Sequence, residues 1–135
     1  MDIREAVPTF LKATSAVTDL VDERIYPVIR PQGAAAPCIL FRVTKGIDGE
    51  AIDGDTRERE YTVELVVWDR DYLAAAAIGA VLKTLFHGTG GYTLGDLTIN
   101  ESSKTAEYDG DRVTDSYADE GDYAITFAFE FQWVA

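Results

Sequence analysis

Residues 57–88 read REREYTVELVVWDRDYLAAAAIGAVLKTLFHG, and the hydrophobic period changes once inside them. Up to Trp68 the period is two. Tyr61, Val63, Leu65 and Val67 fall on one face of a strand, and Glu58, Glu60, Thr62 and Glu64 on the other. One buried face and one largely polar face suit an antiparallel sheet. Beyond Asp69 the period becomes helical, with Asp69 or Asp71 at the N-cap and Ile78, Val81, Leu82 and Leu85 as the core stripe. Gly88, just past His87, is placed to end this helix. Its other sides are unusual, because Ala74, Ala76, Ala77, Gly79 and Ala80 leave almost no polar face in the first half. A helix apolar nearly all round is covered on two sides. A second copy of the chain is the expected cover, so these five residues are subunit-interface candidates.

Working outward, Tyr123 to Trp133 alternates without a break. Tyr123, Ile125, Phe127, Phe129, Phe131 and Trp133 face one way, and Ala124, Thr126, Ala128, Glu130 and Gln132 the other. That is the pattern of a central core strand. Cys38 to Thr44 reads as another strand, with Ile39, Phe41 and Val43 on one face and Leu40 and Arg42 leaving the other only partly wetted. Tyr92 to Asn100 is β structure around a Gly95-Asp96 turn. At the N-terminus Ile3, Val7, Phe10 and Leu11 have helical spacing, interrupted by Pro8, where the helix is expected to start. Ser15 is the expected cap of a short further turn carrying Val17 and Leu20. Arg24 to Pro27 and Arg30 to Gly33 read as an extended, proline-punctuated connection. The order α, β, β, α, β, β predicts an α+β fold. Its sheet is antiparallel, mixed at most, of about four or five strands, with two main helices packed on one face. A length of 135 residues fits a single domain over 1–135.

Charge and composition narrow the function. Apolar residues make up 47% and charged residues 27%, a globular balance. Twelve basic against twenty-four acidic residues leave −12, and Arg57 and Arg59 are interleaved with Glu58 and Glu60. Such a field opposes nucleic-acid binding, which depends on Lys and Arg neutralising phosphates. The start of the chain lacks signal-peptide character, and the longest apolar run, Leu73 to Ile78, is far too short to cross a bilayer. A soluble protein made in a cytoplasm, with no membrane partner, is the expectation.

No constellation of catalytic residues stands out. His87, the only histidine, ends a helix, where a cation interacts favourably with the dipole. Cys38 reads as a small core hydrophobe. The acidic loops around Asp48, Glu50, Asp53 and Asp55, and around Asp109 and Asp111, offer oxygen ligands of the kind calcium takes. None has the EF-hand order, and Asp-Gly pairs are ordinary turn formers. A metal-dependent hydrolase using these loops is nevertheless the enzymatic alternative. Gly88-Thr89-Gly90-Gly91 follows a helix instead of opening one and lacks a Lys, so it is no phosphate loop. The aromatic stripe of the last strand reads as core, with a ligand groove as the competing use. No catalytic, cofactor-binding or metal residue is assigned, and no cofactor is expected.

Four segments together resemble the tail terminator, or tail completion, proteins of long-tailed bacteriophages, prophages and gene transfer agents. They are the N-terminal helix running into Asp22-Glu23-Arg24-Ile25-Tyr26-Pro27, and Pro31 to Pro37 leading into Cys38-Ile39-Leu40-Phe41. The strand–helix junction Tyr61 to Asp69 before the Ala-rich helix is the third. The fourth is the acidic loop running into Phe129-Glu130-Phe131-Gln132-Trp133. The chain departs from the family pattern at Cys38, where a larger residue is usual, and at Pro8, which breaks the first helix. The resemblance implies a non-enzymatic virion protein, assembled in the host cytoplasm, that forms a hexameric ring on the finished tail tube. Such a ring stops polymerisation and joins the tail to a head-side connector; another head–tail connector or a tail-tube-like subunit is the alternative of the same kind. Its implied partners are copies of itself, the tail tube protein and the connector or stopper, with DNA passing through unbound. Asp48, Glu50, Asp53, Asp55, Asp109 and Asp111 are then candidates for the lumen or a partner loop. Six copies would carry a total charge of about −72, a field that repels phosphates.

Overall fold

The computed structural model describes residues 1–48, 58–111 and 122–134. In chain order the elements are α1 (Ile3–Lys12), α2 (Ser15–Val21), β1 (Ile25–Pro27), β2 (Cys38–Asp48), β3 (Glu58–Asp69), α3 (Tyr72–Phe86), β4 (Tyr92–Leu94), β5 (Leu97–Asp109) and β6 (Tyr123–Val134). The spine of the sheet is the antiparallel pair β3 and β6, matched residue for residue from Glu58 opposite Val134 to Asp69 opposite Tyr123. β2 flanks β3, β5 flanks β6, and the full order is β1-β2-β3-β6-β5-β4. β3 and β5 both run antiparallel to β6 and hence parallel to each other, so α3 is a crossover with β6 inserted beneath it.

The architecture is the expected α+β with helices on one face, but it holds six strands and three helices. One strand was not legible and another reads short. Ile25–Pro27, inside what reads as a connection, pairs parallel with Ile39–Phe41, so the sheet is mixed. β5 continues nine residues past its expected end at Asn100. Register shifts between Ile99 and Glu101 and between Lys104 and Ala106 break its alternation, and a pattern search in steps of two loses the strand at each bulge.

The helices also differ in detail. α1 does not begin at Pro8: Asp2 caps it, accepting the Arg4 amide at 2.8 Å, and Pro8 sits inside. Burial of Ile3, Ala6, Val7 and Leu11 along one face outweighs the hydrogen bond that proline cannot give. At α2 the N-cap position belongs to Thr14, whose hydroxyl donates back to the Phe10 carbonyl at 2.7 Å. Val17 and Val21, one turn apart, are buried there and Leu20 is exposed, so the inward face is set by the i, i+4 pair and not by Val17 with Leu20. α3 is capped as expected by Asp71, which accepts the Leu73 amide at 3.0 Å, and ends before Gly88 at φ +64°.

The core-facing side of α3 is Ala75, Ile78, Gly79, Leu82 and Phe86, with Val81 and Leu85 half-buried at its border. The Phe86 ring meets Phe129 and Phe131 edge-on at 5.4 and 5.2 Å, and Phe10 at 5.6 Å. The aromatic stripe of β6 is thus roofed by helices, which removes it as a ligand groove. The far side of the sheet corrects the strand reading. It is wet only towards Glu58 and Glu60, whereas Cys38, Leu40, Val66, Trp68 and Ala124 form a second small core with Tyr26 packed on it, and Glu64 is buried beside them. Alternation assigns side chains to faces but is silent about what folds over a face.

Gly79 lies flat on Phe127, and a Cβ there would run into the ring. Gly79→Ala therefore lowers stability by ~1–3 kcal/mol through overpacking, although alanine is the better helix former by about 1 kcal/mol. Urea unfolding measures this, and a variant as stable as the parent contradicts the packing.

Candidate functional site

With its inner side on the sheet, α3 turns Leu73, Ala77 and Ala80 outward. At 3.6 residues per turn these share one line with Thr84. Leu73 is 74% exposed, more than any other large apolar residue described. Ala74 and Ala76 are half-buried on the two flanks of that line. Of the five interface candidates, four thus lie on the open or flanking sides, while Gly79 is used within the chain, against Phe127. From Tyr72 to Leu82 the helix carries no charge. Its first charged side chain, Lys83, reaches sideways to Glu107 on β5 at 3.3 Å. Lys104 binds the same carboxylate at 2.9 Å, and the two lysines hold Glu107 below the usual carboxylate range.

The acidic candidates do not converge. Glu50, Asp53 and Asp55 lie outside the described residues. Asp48 accepts from the Tyr61 hydroxyl at 3.1 Å and pairs with Arg59 at 3.1 Å. Asp109 accepts from the Tyr72 hydroxyl at 2.9 Å, which pushes that phenol's pKa up. Asp111 takes both Nη groups of Arg42, at 2.9 and 3.1 Å. Asp48 stands level with Trp133 across the sheet, and Asp109 with Ile125, so roughly 27 Å of strand separates them. Among the described residues no three His, Cys, Asp or Glu side chains are placed to hold a metal ion. A hollow of about 530 Å³ beside Asp48 is lined by Asp2, Arg59, Tyr61 and Asp96, and its Tyr61 hydroxyl is spent on Asp48. No described helix is long and apolar enough to cross a membrane.

What sequence reading missed is a buried charge network on the far side of the sheet. Arg42 stands directly opposite Glu64, 3.5 Å away, and Glu64 accepts from the Tyr108 hydroxyl at 2.8 Å. Arg30, from the connection after β1, is 1% exposed, binds Asp122 at 2.6 Å and the Ala34 carbonyl at 2.7 Å, and lies over the Trp68 ring. The Arg42 Nε–H and the Trp68 indole N–H find no partner among the described residues. Opposite charges at facing strand positions are a legible signal for Arg42 and Glu64 once the register is known. Arg30 and Asp122, ninety-two residues apart, offer none.

His87 and Cys38 take structural places. His87 is the C-cap residue of α3, and its Nδ1 accepts the Lys104 amide at 3.0 Å, tying the helix end to β5. Cys38 is fully buried, and burial raises its thiol from 9.0 to about 11.

The family model described as "Tail completion protein gp17" matches residues 5–116. The chain therefore belongs to the phage tail completion protein family, a family of structural tail proteins and not of enzymes. It is a virion component that works among other tail or head proteins. Its fold is shared with a chain of a structure titled "Virion of native gene transfer agent (GTA) particle". That match has a TM-score of 0.70 and 16% identity, and covers 98% of this chain and 95% of the other. No curated protein matches the sequence.

Two outcomes follow from the buried groups. Arg42→Met leaves buried Glu64 without its facing cation and lowers stability by ~3–5 kcal/mol, read as a shifted denaturant midpoint. For Cys38 the raised pKa means that the folded state holds its proton more tightly than the unfolded state. Its contribution is complete below about pH 9 and is lost as pH rises towards about 11. Cys38→Ala flattens that alkaline loss, and native Cys38 stays unlabelled by a thiol reagent at pH 8 until the chain unfolds.

Proposed function

We propose that this protein caps the finished tail tube as a ring of six copies, ends tube polymerisation and presents a surface to the head-side connector. The single domain over residues 1–135 is the repeating unit. One observation carries the reading: the outward side of α3 is uncharged for three turns and carries an exposed leucine, on a chain with a net charge of −12. A lone soluble protein of that charge keeps such a face polar. In a ring, each copy meets its neighbours through two different patches, and Ala74, Ala76, Ala77 and Ala80 contribute to one of them.

The acidic excess repels DNA phosphates, so the genome slides through without adhering. Asp48 supplies that field at one end of the sheet and Asp109 at the other, Glu50, Asp53 and Asp55 add their charges to the total, and Asp111, buried against Arg42, adds little. Asp48 and Asp109 are both exposed, each accepting from a tyrosine hydroxyl, with Asp48 also paired with the half-buried Arg59.

Removing the gene from its phage or particle tests the reading. Capping predicts tails that overgrow by polymerisation of the tube, seen by negative-stain microscopy, and heads left without tails. Tubes of normal length overturn it. A tube subunit would itself grow filaments in isolation, whereas a terminator stops at one ring. Ala77→Glu with Ala80→Glu leaves the fold intact by circular dichroism and abolishes ring formation and tail joining.

A further inference from the structure

We propose that the open edge of β5 pairs, strand to strand, with the open edge of β2 on a second copy of this chain. The proposal rests on the ring reading and names the contact that closes the ring. The sheet is capped only in part at its two margins. β1 covers Ile39–Phe41 of β2, and β4 covers Leu97–Ile99 of β5, with Thr89 bridging to Ser102. Beyond those caps both long strands run on without a further neighbour among the described residues, β2 through Val43 to Asp48 and β5 through Lys104 to Asp109. Neither stretch carries a proline to block pairing. Register says which backbone groups point outward. On β2 the Ile39 amide and the Phe41 carbonyl bond outward, to Arg24 and Val28. Alternate positions on β3 carry that phase past the bulge to Val43, Gly46 and Asp48, opposite Val63, Tyr61 and Arg59. On β5 Ser102, opposite Phe131, bonds outward to Thr89. Lys104, Glu107 and Asp109, opposite Phe129, Phe127 and Ile125, share its direction. Of these six outward positions only the Lys104 amide is used among the described residues, donating to His87 Nδ1 at 3.0 Å.

The two margins match each other. β2 and β5 run antiparallel within one copy, through β3 and β6. A second copy set beside the first in the same orientation therefore lays its β2 antiparallel along β5. Gly46 then faces Glu107, Val43 faces Asp109 and Asp48 faces Lys104, outward group to outward group. In that register Ile47, 45% exposed, is covered by Ala106, and no two like charges stand directly opposite. The register has a geometric consequence. Within a copy Glu107 is level with Leu65 and Gly46 with Tyr61, so joining them staggers neighbouring copies by four residues. Over the strands β2, β3, β6 and β5 this stagger tilts the strands by about 35°, the slope at which sheets close into barrels. Six copies then close at a backbone diameter of about 45 Å, wide enough to pass a DNA duplex. Two different edges in contact make a head-to-tail interface, the type that forms rings. Closure also removes two open edges that would otherwise invite unlimited pairing.

The test uses the full chain with Cys38→Ala, in assembled particles and as purified protein at high concentration. Ile47→Cys together with Ala106→Cys, under mild oxidation, gives a ladder of disulfide-linked multimers, and neither single variant does. Glu107→Pro removes one outward amide without touching the bonds to β6 and abolishes ring formation, whereas Glu107→Ala retains it. Rings that form normally in the double cysteine variant with no ladder overturn the edge pairing and leave the ring reading standing. A disulfide dimer from either single cysteine variant means a symmetric contact and overturns it too. So does Glu107→Pro protein that still assembles into rings. Protein that stays monomeric in particles whose tails have normal length removes the ring reading itself.

Discussion

The fold depends on one arrangement: β6 lies in the middle of the sheet, paired on both sides, with its aromatic face pressed under α3. Phe127, Phe129 and Phe131 are almost wholly removed from water, and each aromatic ring buries a large apolar area. The helix comes close because Gly79 has no side chain where it crosses Phe127. The crossover of α3 between β3 and β5, with β6 slotted between, brings the last strand of the chain to the centre. Neighbouring elements are placed relative to that strand: β2 through β3, β4 through β5, and α1 through the Phe10–Phe86 contact.

The far side of the sheet is held differently. Arginines from the first third of the chain reach carboxylates on β3 and at both flanks of the 112–121 stretch, at Asp111 and Asp122. Buried ion pairs add little net stability, because desolvation offsets attraction, but removing one partner leaves a costly unpaired charge. Such pairs therefore act mainly as positional constraints. Here they fix where the connection after β1 and the ends of the later acidic segment meet the sheet.

For a tail protein these features have a common sense. Function resides in surfaces presented to other chains, and a rigid sheet with a roofed core is a platform for them. α3 is the shared element. Its inner side needs a glycine and small residues to approach an aromatic strand, and its outer side remains uncharged. Among the described residues, Asp48 lies at one end of the sheet and Asp109 and Asp111 at the other, and each is tied locally.

Much of this was legible in order along the chain. Alternation marked β3 and β6, helical spacing with Asp71 and Gly88 marked α3, and charge and the want of any catalytic pattern marked a protein of surfaces. Legibility failed where local rules were overridden. Pro8 is carried inside α1 by burial, β5 is hidden by two bulges, and β1 exists only because β2 lies beside it. The interface stripe was read as Ala and Gly together, yet Gly79 turned out to serve the core, since helical phase is settled by what lies beneath the helix. The amino-acid order by itself determined the element types, the composition of each face and the sign of the field, because these are properties of neighbouring residues. Only the tertiary structure decided the strand order, the buried arginine pairs and which side of α3 stays open, because those depend on contacts between residues far apart in the chain.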